Sequence, residues 1–184
     1  AIMTGLGFAD FDMEGRYIQA DYENLSVGCL LAPYAEPGNA DQLAHKLAFY
    51  EQLGGHLQKV RNKRREFIIC GNWNAAHTPG DVQDTERNST ASGFLTEERQ
   101  WMTQLTTEGG VVDVYRRLKP EATDDCYTWW SNRGQAYAKN VGWRLDYHLA
   151  TPALASGART HAVYKDQRFS DHAPLTIGYD WSLA

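Results

Sequence analysis

The sequence predicts a mixed α/β or α+β fold with mixed sheets, because strand-like and helix-like segments alternate and include a hairpin. Residues 16–22 alternate polar and apolar side chains, and residues 25–32 form a more apolar run directly after a two-residue turn. Residues 40–60 carry apolar side chains at helical spacing before a short apolar strand, 67–70. The 184 residues fit one domain with a sizeable core.

The first long helix is predicted from its apolar stripe over residues 40–60. Its two adjacent glycines, Gly54 and Gly55, weaken a helix by roughly 1 kcal/mol each. The stripe is still continuous on either side of them. Its members are Leu43, Leu47, Tyr50, Leu53, Leu57 and Val60.

The second half of the chain begins with a long polar loop, residues 78–92, of the kind that often serves function. A helix follows, for which Thr96 is the predicted N-cap and Glu97 and Glu98 favour the positive first turn. The stretch from Tyr127 then predicts a strand, a polar loop and another strand. The final strand follows the polar cluster "SDHAP".

The overall composition excludes several classes of protein. A formal charge of −5 gives no global attraction to nucleic acid or anionic membrane, so any such contact needs a local patch or a metal. No apolar run approaches the roughly 18 residues of a membrane span. The first residues lack the features of a signal peptide, and the absent initiator Met suggests that sequence precedes Ala1. Cys29 and Cys70 lie in apolar runs and are predicted to be buried, which favours a reducing, cytoplasmic setting.

Polar side chains that could carry chemistry lie at the ends of three predicted strands. They are Asn72 with Asn74, then Asp146, then Asp171 with His172. Strand ends can converge on one cleft, where Asp and His support metal-assisted hydrolysis, acid–base transfer or a Ser-His-Asp triad. The triad is disfavoured because no G-x-S-x-G motif occurs. Zinc spacing is also absent, whereas carboxylate and amide oxygens suit Mg²⁺ or Mn²⁺.

Five stretches together resemble the exonuclease III and abasic-site endonuclease family of the endonuclease/exonuclease/phosphatase superfamily. They are "GLGFADFDMEGRYIQAD", "CGNWNAAH", "SGFLTEERQWM", "YTWWSNRGQAYAKNVGWRLDY" and "SDHAPL". The resemblance implies a DNase I-like four-layer α/β sandwich of two stacked mixed sheets, formed by residues 1–184 as one domain. It also implies a monomeric, cytoplasmic, bacterial enzyme without a membrane partner. Such an enzyme uses Mg²⁺, with Mn²⁺ as the alternative ion, to hydrolyse double-stranded DNA beside abasic sites and at 3′ ends.

The resemblance also assigns roles to the polar clusters. His172 is expected to contact or protonate the scissile phosphate, with Asp146 orienting its ring and Asp171 at or near the metal. Asn74 is expected to hold the phosphate or the attacking water, with Asn72 beside the water and the metal.

The loop between the two aromatic strands is expected to contact DNA. Trp129 and Trp143 would line a pocket for the extruded sugar, although core packing is the plain structural alternative for tryptophan. Arg133, Gln135 and Asn140 would contact the duplex.

Three departures from the family pattern predict weakened activity. The family's opening third, with the Glu that is its main metal ligand, has no counterpart here, so the domain is expected to be truncated at its N-terminus relative to the family. Asn72 stands where the family has an Asp, and loss of a general base costs roughly 10²- to 10⁴-fold. Leu31 stands where the family has a Tyr; Tyr34 follows Pro33 and is not expected to substitute.

Two other functions remain open from the sequence. One is a catalytically inactive relative like the bacterial catabolite repression control protein, which works through partners at messenger RNA. Asn72 and Leu31 favour it, while the intact "SDH" argues against it. The other is a phosphatase for small or lipid phosphates, which leaves the Trp-Arg-Gln loop unexplained.

Overall fold

A computed structural model of the chain describes residues 1–183. That part of the chain contains ten strands, five α-helices and one 3₁₀ turn. The strands are β1 (Ile2–Met3), β2 (Tyr17–Asp21), β3 (Leu25–Leu31), β4 (Glu66–Asn72), β5 (Val112–Asp113), β6 (Trp129–Trp130), β7 (Gly142–Trp143), β8 (Asp146–Ala150), β9 (Ala158–Val163) and β10 (Leu175–Tyr179). The helices are α1 (Ala9–Asp12), α2 (Ala40–Asn62), α3 (Thr96–Thr107), α4 (Val114–Leu118) and α5 (Pro152–Ser156), and the 3₁₀ turn is Pro79–Asp81.

A six-stranded mixed sheet organises the molecule, in the order β1-β2-β3-β4-β8-β5. β2 and β3 form the predicted antiparallel hairpin, and β3 runs parallel to β4 after the crossover through α2. β8 is antiparallel to both β4 and β5. The mixed pairing follows from this connectivity, because a parallel neighbour needs a long crossover and a hairpin neighbour does not.

Helices α2 and α3 cover one face of this sheet. Phe49, Leu53 and Leu57 of α2 are buried against strand residues such as Phe67 and Ile69. Each large apolar side chain that is fully buried contributes about 1.5–3 kcal/mol, which outweighs the roughly 1 kcal/mol cost of each glycine in the helix. The helix therefore runs unbroken through its glycine pair to Asn62.

The β9–β10 hairpin packs against the other face with α4 and α5, so two sheets are stacked. Ile68 of β4 belongs to this second core with Ile177 of β10 and Leu154 of α5. The predicted mixed α/β class with stacked sheets is thereby confirmed. Within residues 1–183, no helix has both the length and the apolar composition to cross a membrane.

Two local predictions were wrong. Helix α3 begins at Thr96 itself, and its N-cap is Leu95, whose backbone N–H donates to Glu98 Oε1 at 3.0 Å. The acidic side chain at the third helical position therefore performs the capping. Cys29 is exposed rather than buried, since the second sheet covers the start of β3 at Leu25 but leaves Leu31, at its end, 51% exposed.

Candidate active site

The register of the central sheet brings two of the predicted polar positions side by side. Asn72, the last residue of β4, is paired with Asp146, the first residue of β8. Strand β8 starts there because Thr128, fully buried, accepts the backbone N–H groups of Leu145 and Asp146 at 3.0 and 3.1 Å. The two strand ends therefore present an amide and a carboxylate at the same edge.

His172 joins this edge from the segment before β10. Its Nδ1 lies 2.8 Å from Oδ2 of Asp146, in a pair whose side chains are 29% and 20% exposed. The Ser170 hydroxyl accepts the backbone N–H of His172 at 2.9 Å, which fixes the segment on which the ring is carried. With Nδ1 facing the carboxylate, Nε2 is the ring nitrogen left for a substrate.

The charge state of His172 reflects two opposing causes. Partial burial by itself lowers the pKa of the imidazole. The hydrogen bond and charge of Asp146, together with the charge of Asp171, outweigh burial and hold the pKa above its ordinary value of 6.5. The arrangement therefore favours an imidazolium at the site.

Asn72 and Asn74 form two hydrogen bonds with each other in the turn after β4. The Asn74 backbone N–H donates to Oδ1 of Asn72 at 2.7 Å, and Nδ2 of Asn72 donates to Oδ1 of Asn74 at 3.1 Å. Nδ2 of Asn74 donates to the carbonyl of Ala32 at 2.7 Å. Asn74 also has a positive φ of 51°, a conformation for which Asn is better suited than most residues.

Two aromatic strands and Asp171 form another part of the site. Trp129 of β6 pairs directly with Trp143 of β7, and their rings lie edge to face with centroids 6.5 Å apart. The Trp129 indole N–H donates to Oδ2 of Asp171 at 3.0 Å. One carboxylate oxygen of Asp171 is thus held by the indole, which orients the carboxylate at the wall.

These walls enclose a cavity of about 640 Å³. The predicted site residues that line it are Asn74, Trp129, Arg133, Trp143, Asp171 and His172. Asp146 and Asn72 are not part of the lining and support His172 and Asn74 instead.

Two of the predicted DNA contacts lie outside the cavity lining. The Asn140 amide is used within the loop, where it accepts the Trp130 indole N–H at 3.0 Å and donates to the Asp124 carbonyl at 2.6 Å. Gln135 is an exposed loop residue with a positive φ of 55°.

The cavity also includes residues that the sequence did not single out. They include Gln83, Asp84, Arg87, Asn88, Ser92, Gly93 and Lys139. The long polar loop predicted at residues 78–92 was the sequence feature that could have indicated the cavity residues between positions 83 and 93. Tyr34, which follows Pro33, also lines the cavity; β3 ends at Leu31, so side-chain alternation along that strand does not determine where Tyr34 points.

A buried charge network lies beneath the segment that joins Trp143 of β7 to Asp146 of β8. Arg144 is 1% exposed and donates from Nε to Asp81 at 2.7 Å and from Nη2 to Asp113 at 2.6 Å. Arg116 also pairs with Asp81. Burial alone raises the pKa of Asp81, but the two guanidinium groups hold it well below its usual range. This network fixes the main chain that presents the site.

The side chains available as metal ligands limit how the protein could hold a divalent cation. Within residues 1–183, no group of three or more His, Cys, Asp or Glu side chains could hold a metal ion. Mg²⁺ commonly keeps several waters and takes only one or two carboxylates plus substrate phosphates. Asp171 offers one carboxylate to that mode, whereas the amide oxygens of Asn72 and Asn74 already accept hydrogen bonds from each other's residue.

Comparisons with known proteins point consistently to DNA-repair nucleases. The model of the Endonuclease/Exonuclease/phosphatase family matches residues 6–172. An exodeoxyribonuclease of Bacillus subtilis is 29% identical over 176 residues, covering 96% of this chain and 68% of that protein. A DNA-(apurinic or apyrimidinic site) endonuclease of Dictyostelium discoideum is 32% identical over 182 residues, covering 98% of this chain and 50% of that protein.

Two solved structures match nearly the whole chain, at sequence identities similar to those of these two relatives. An apurinic/apyrimidinic endonuclease from Archaeoglobus fulgidus superposes with a TM-score of 0.88 at 28% identity, covering 98% of this chain and 70% of that one. A 3′-5′ exonuclease from Neisseria meningitidis gives a TM-score of 0.89 at 26% identity, covering 98% and 71%. The chain therefore spans about half to seven-tenths of the length of these four proteins.

Proposed function

Because this chain belongs to the endonuclease/exonuclease/phosphatase family, we propose that it is a Mg²⁺-dependent DNA phosphodiesterase of the exonuclease III type. Its substrates are duplexes with an abasic site and 3′ ends in base excision repair. The observation that carries the proposal is the pair of His172 and Asp146, 2.8 Å apart, at a cavity that also contains Asn74 and Asp171.

His172 is the group that contacts the scissile phosphate. Its Nε2 donates to a phosphate oxygen, and the imidazolium stabilises the negative charge that develops there. Asp146 accepts from Nδ1, so it fixes the ring orientation and favours the protonated form. The raised pKa of His172 supports this assignment, because the charged form then persists nearer neutral pH.

Asn74 lines the cavity and holds the phosphate or the attacking water through its amide, and Asn72, hydrogen-bonded to it, orients it from outside the lining. An amide oxygen accepts a hydrogen bond from water but does not take its proton near neutral pH. The step that a carboxylate at position 72 would assist is therefore weakened, which supports an enzyme of reduced activity.

Asp171 is the carboxylate placed to hold the divalent cation, with Trp129 orienting it. When bound, Mg²⁺ neutralises phosphate charge as a Lewis acid, and Mn²⁺ serves the same purpose. The protein would contribute the Asp171 carboxylate, one oxygen of which is held by the Trp129 indole.

The cavity suits a base-free sugar flanked by phosphates. Trp129 and Trp143 provide apolar faces for the sugar. Arg87, Arg133 and Lys139 bring positive charge to the rim, which a chain of net charge −5 needs locally to attract DNA. Gln135 and Asn140 belong to the same loop as Arg133 and Lys139. They contact the duplex or shape the surface that it approaches.

We also propose that the protein is a monomer and acts in the bacterial cytoplasm.

A second candidate function has one observation in its favour. Asn72 and Asn74 satisfy each other's hydrogen bonds, so the position that would activate water is occupied by a structural contact. A catalytically inactive homologue that acts through a regulatory protein or RNA partner would keep such a site without using it.

The test is Mg²⁺-dependent cleavage of a duplex with one abasic analogue by the natural polypeptide that contains this sequence. We expect cleavage by the wild type and a loss of at least about 100-fold in His172→Ala. His45→Ala is the matched control, because this histidine pairs with Glu14 on the surface, outside the cavity lining. It should retain full activity.

Asn72→Asp separates the two candidate functions. We expect its rate to rise at least about tenfold, since a proton acceptor returns beside the water. If neither the wild type nor Asn72→Asp cleaves the duplex, the catalytic proposal is refuted and the regulatory one is favoured.

A further inference from the structure

A fully buried ion pair lies behind the cavity wall. Lys46 of α2 and Glu98 of α3 are paired, both side chains are 0% exposed, and neither lines the cavity. Burial lowers the pKa of Lys46 below its ordinary value, against the opposing effect of Glu98. A buried pair loses the hydration of two ions and is weak evidence for a stabilising role. Its other contacts indicate what it does.

Lys46 is one of three side chains that hold consecutive carbonyl groups of the turn after β4. Tyr50, one helical turn along α2, donates its hydroxyl to the carbonyl of Trp73. Lys46 Nζ donates to the carbonyl of Asn74 at 2.6 Å, and the Tyr147 hydroxyl donates to the carbonyl of Ala75 at 2.7 Å.

The hydrogen bond from Lys46 lies at a residue whose backbone conformation is uncommon. Asn74 has a φ of 51°, in the left-handed region that non-glycine residues seldom adopt. Such conformations persist where the surrounding structure determines them strongly. The ammonium group of Lys46 bonds directly to the peptide unit that follows this strained residue.

Glu98 holds a different part of the cavity wall. Its Oε1 accepts the backbone N–H groups of Gly93 and Leu95 at 2.8 and 3.0 Å, while Oε2 faces Lys46. Gly93 has a φ of 92°, and a Cβ placed there would lie 3.1 Å from the Trp143 ring. The chain at Gly93 is therefore packed closely against the tryptophan that lines the cavity.

We propose that Lys46 and Glu98 are positioning residues that fix the separation between the Asn74 turn and the wall formed by Gly93 and Trp143. Capping of α3 requires only Glu98, so it does not account for the bond from Lys46 to the Asn74 carbonyl. The catalytic consequence rests on the proposed nuclease function. The structural consequence does not, because it concerns the geometry of Trp143 and Asn74.

The experiment compares Lys46→Met, Glu98→Gln and the double variant in the natural polypeptide. Trp143 is followed by ¹⁹F NMR after 5-fluorotryptophan incorporation, with its signal assigned through Trp143→Phe. Urea unfolding, kcat and KM on the abasic duplex are measured in parallel. Leu57→Ala is the control, since it removes buried packing on the same helix and leaves the three hydrogen bonds to the turn in place.

Each single variant leaves one buried charge without a partner and should unfold more readily, whereas the double variant should regain much of the lost stability. We expect the Trp143 signal to remain shifted in the double variant and its kcat to fall about 10- to 100-fold, with a smaller change in KM. Leu57→Ala should lose stability yet keep the wild-type signal and kcat.

A double variant with a wild-type Trp143 signal and wild-type kcat would overturn the proposal and leave a purely structural pair. If the double variant does not fold, Lys46→Arg provides a second test. It keeps the positive charge but replaces the single nitrogen that bonds to both the Asn74 carbonyl and Glu98. It should shift the Trp143 signal; an unchanged signal also overturns the proposal. If the wild type itself does not cleave DNA, the nuclease function fails while the ¹⁹F measurement still decides this inference.

Discussion

Asp146→Asn tests the electrostatic core of the site with little change in shape. The asparagine oxygen can still accept from Nδ1 of His172, which lies 2.8 Å from the carboxylate in the wild type. What is lost is the charge. A hydrogen bond to a charged group is worth about 1.5–3 kcal/mol, against about 0.5–1.5 kcal/mol for a neutral one. The imidazolium therefore loses about 1–2 kcal/mol of stabilisation, which corresponds to about 5- to 30-fold.

The consequence is a change in pH dependence. Burial lowers the pKa of His172 and Asp146 is the main opposing cause, so removing its charge should bring the pKa down toward or below 6.5. The variant should therefore lose more activity at about pH 8 than at about pH 6, where the wild-type and variant rings are both more fully charged. The measurements are kcat/KM against pH and an NMR titration of the His172 ring.

The same pair makes folding stability depend on pH with a definite sign. Because the folded-state pKa of His172 is raised above its ordinary 6.5, the pair stabilises the fold fully below about pH 6.5. That contribution is lost as the pH rises through the folded-state pKa, and Asp146→Asn should remove it. An NMR midpoint for His172 that is the same in the wild type and in Asp146→Asn would refute this reasoning.

Three further predictions follow from contacts around the site. Asp81→Asn leaves Arg144 short of one of its two buried carboxylate partners and should cost about 3–5 kcal/mol in urea unfolding; a loss below about 1 kcal/mol would contradict the network's importance. Gly93→Ala forces a side chain to a φ of 92° beside Trp143 and should weaken binding of an abasic duplex about tenfold in fluorescence anisotropy, whereas Gly38→Ala, also at positive φ but in open space, should not. Removal of divalent ions with EDTA should abolish cleavage, and added Mg²⁺ or Mn²⁺ should restore it; cleavage that persists in EDTA would exclude the metal-dependent mechanism.

Local chemistry in the sequence was sufficient for the main elements of the fold. The apolar stripe of residues 40–60 predicted α2, which extends over Ala40–Asn62, and the two-residue turn predicted the β2–β3 hairpin. Helix capping was less predictable. Thr96 has the usual capping chemistry, but Glu98 is held in the core by Lys46, 52 residues earlier, and caps the backbone from there. A contact at that separation leaves no periodic signal in the chain.

The candidate site was likewise only partly predictable from local sequence. The pairing of Asp146 with His172 was expected only from a family resemblance, because nothing in local spacing links residues 26 apart. The position of Tyr34 at the cavity could not be predicted, because the sequence does not give the end of β3 to the exact residue. The bonds of the Asn140 amide to Trp130 and Asp124 could not be predicted either, because they depend on the tertiary structure of the loop.

A crystal structure of the natural polypeptide with an abasic duplex and Mn²⁺ tests most directly whether these separate strand ends form one phosphate site. The account predicts one phosphate within hydrogen-bond distance of both Nε2 of His172 and the Asn74 amide, with the anomalous signal of Mn²⁺ at the Asp171 carboxylate. A duplex bound elsewhere on the molecule, with no phosphate at His172 and no metal at Asp171, would contradict it.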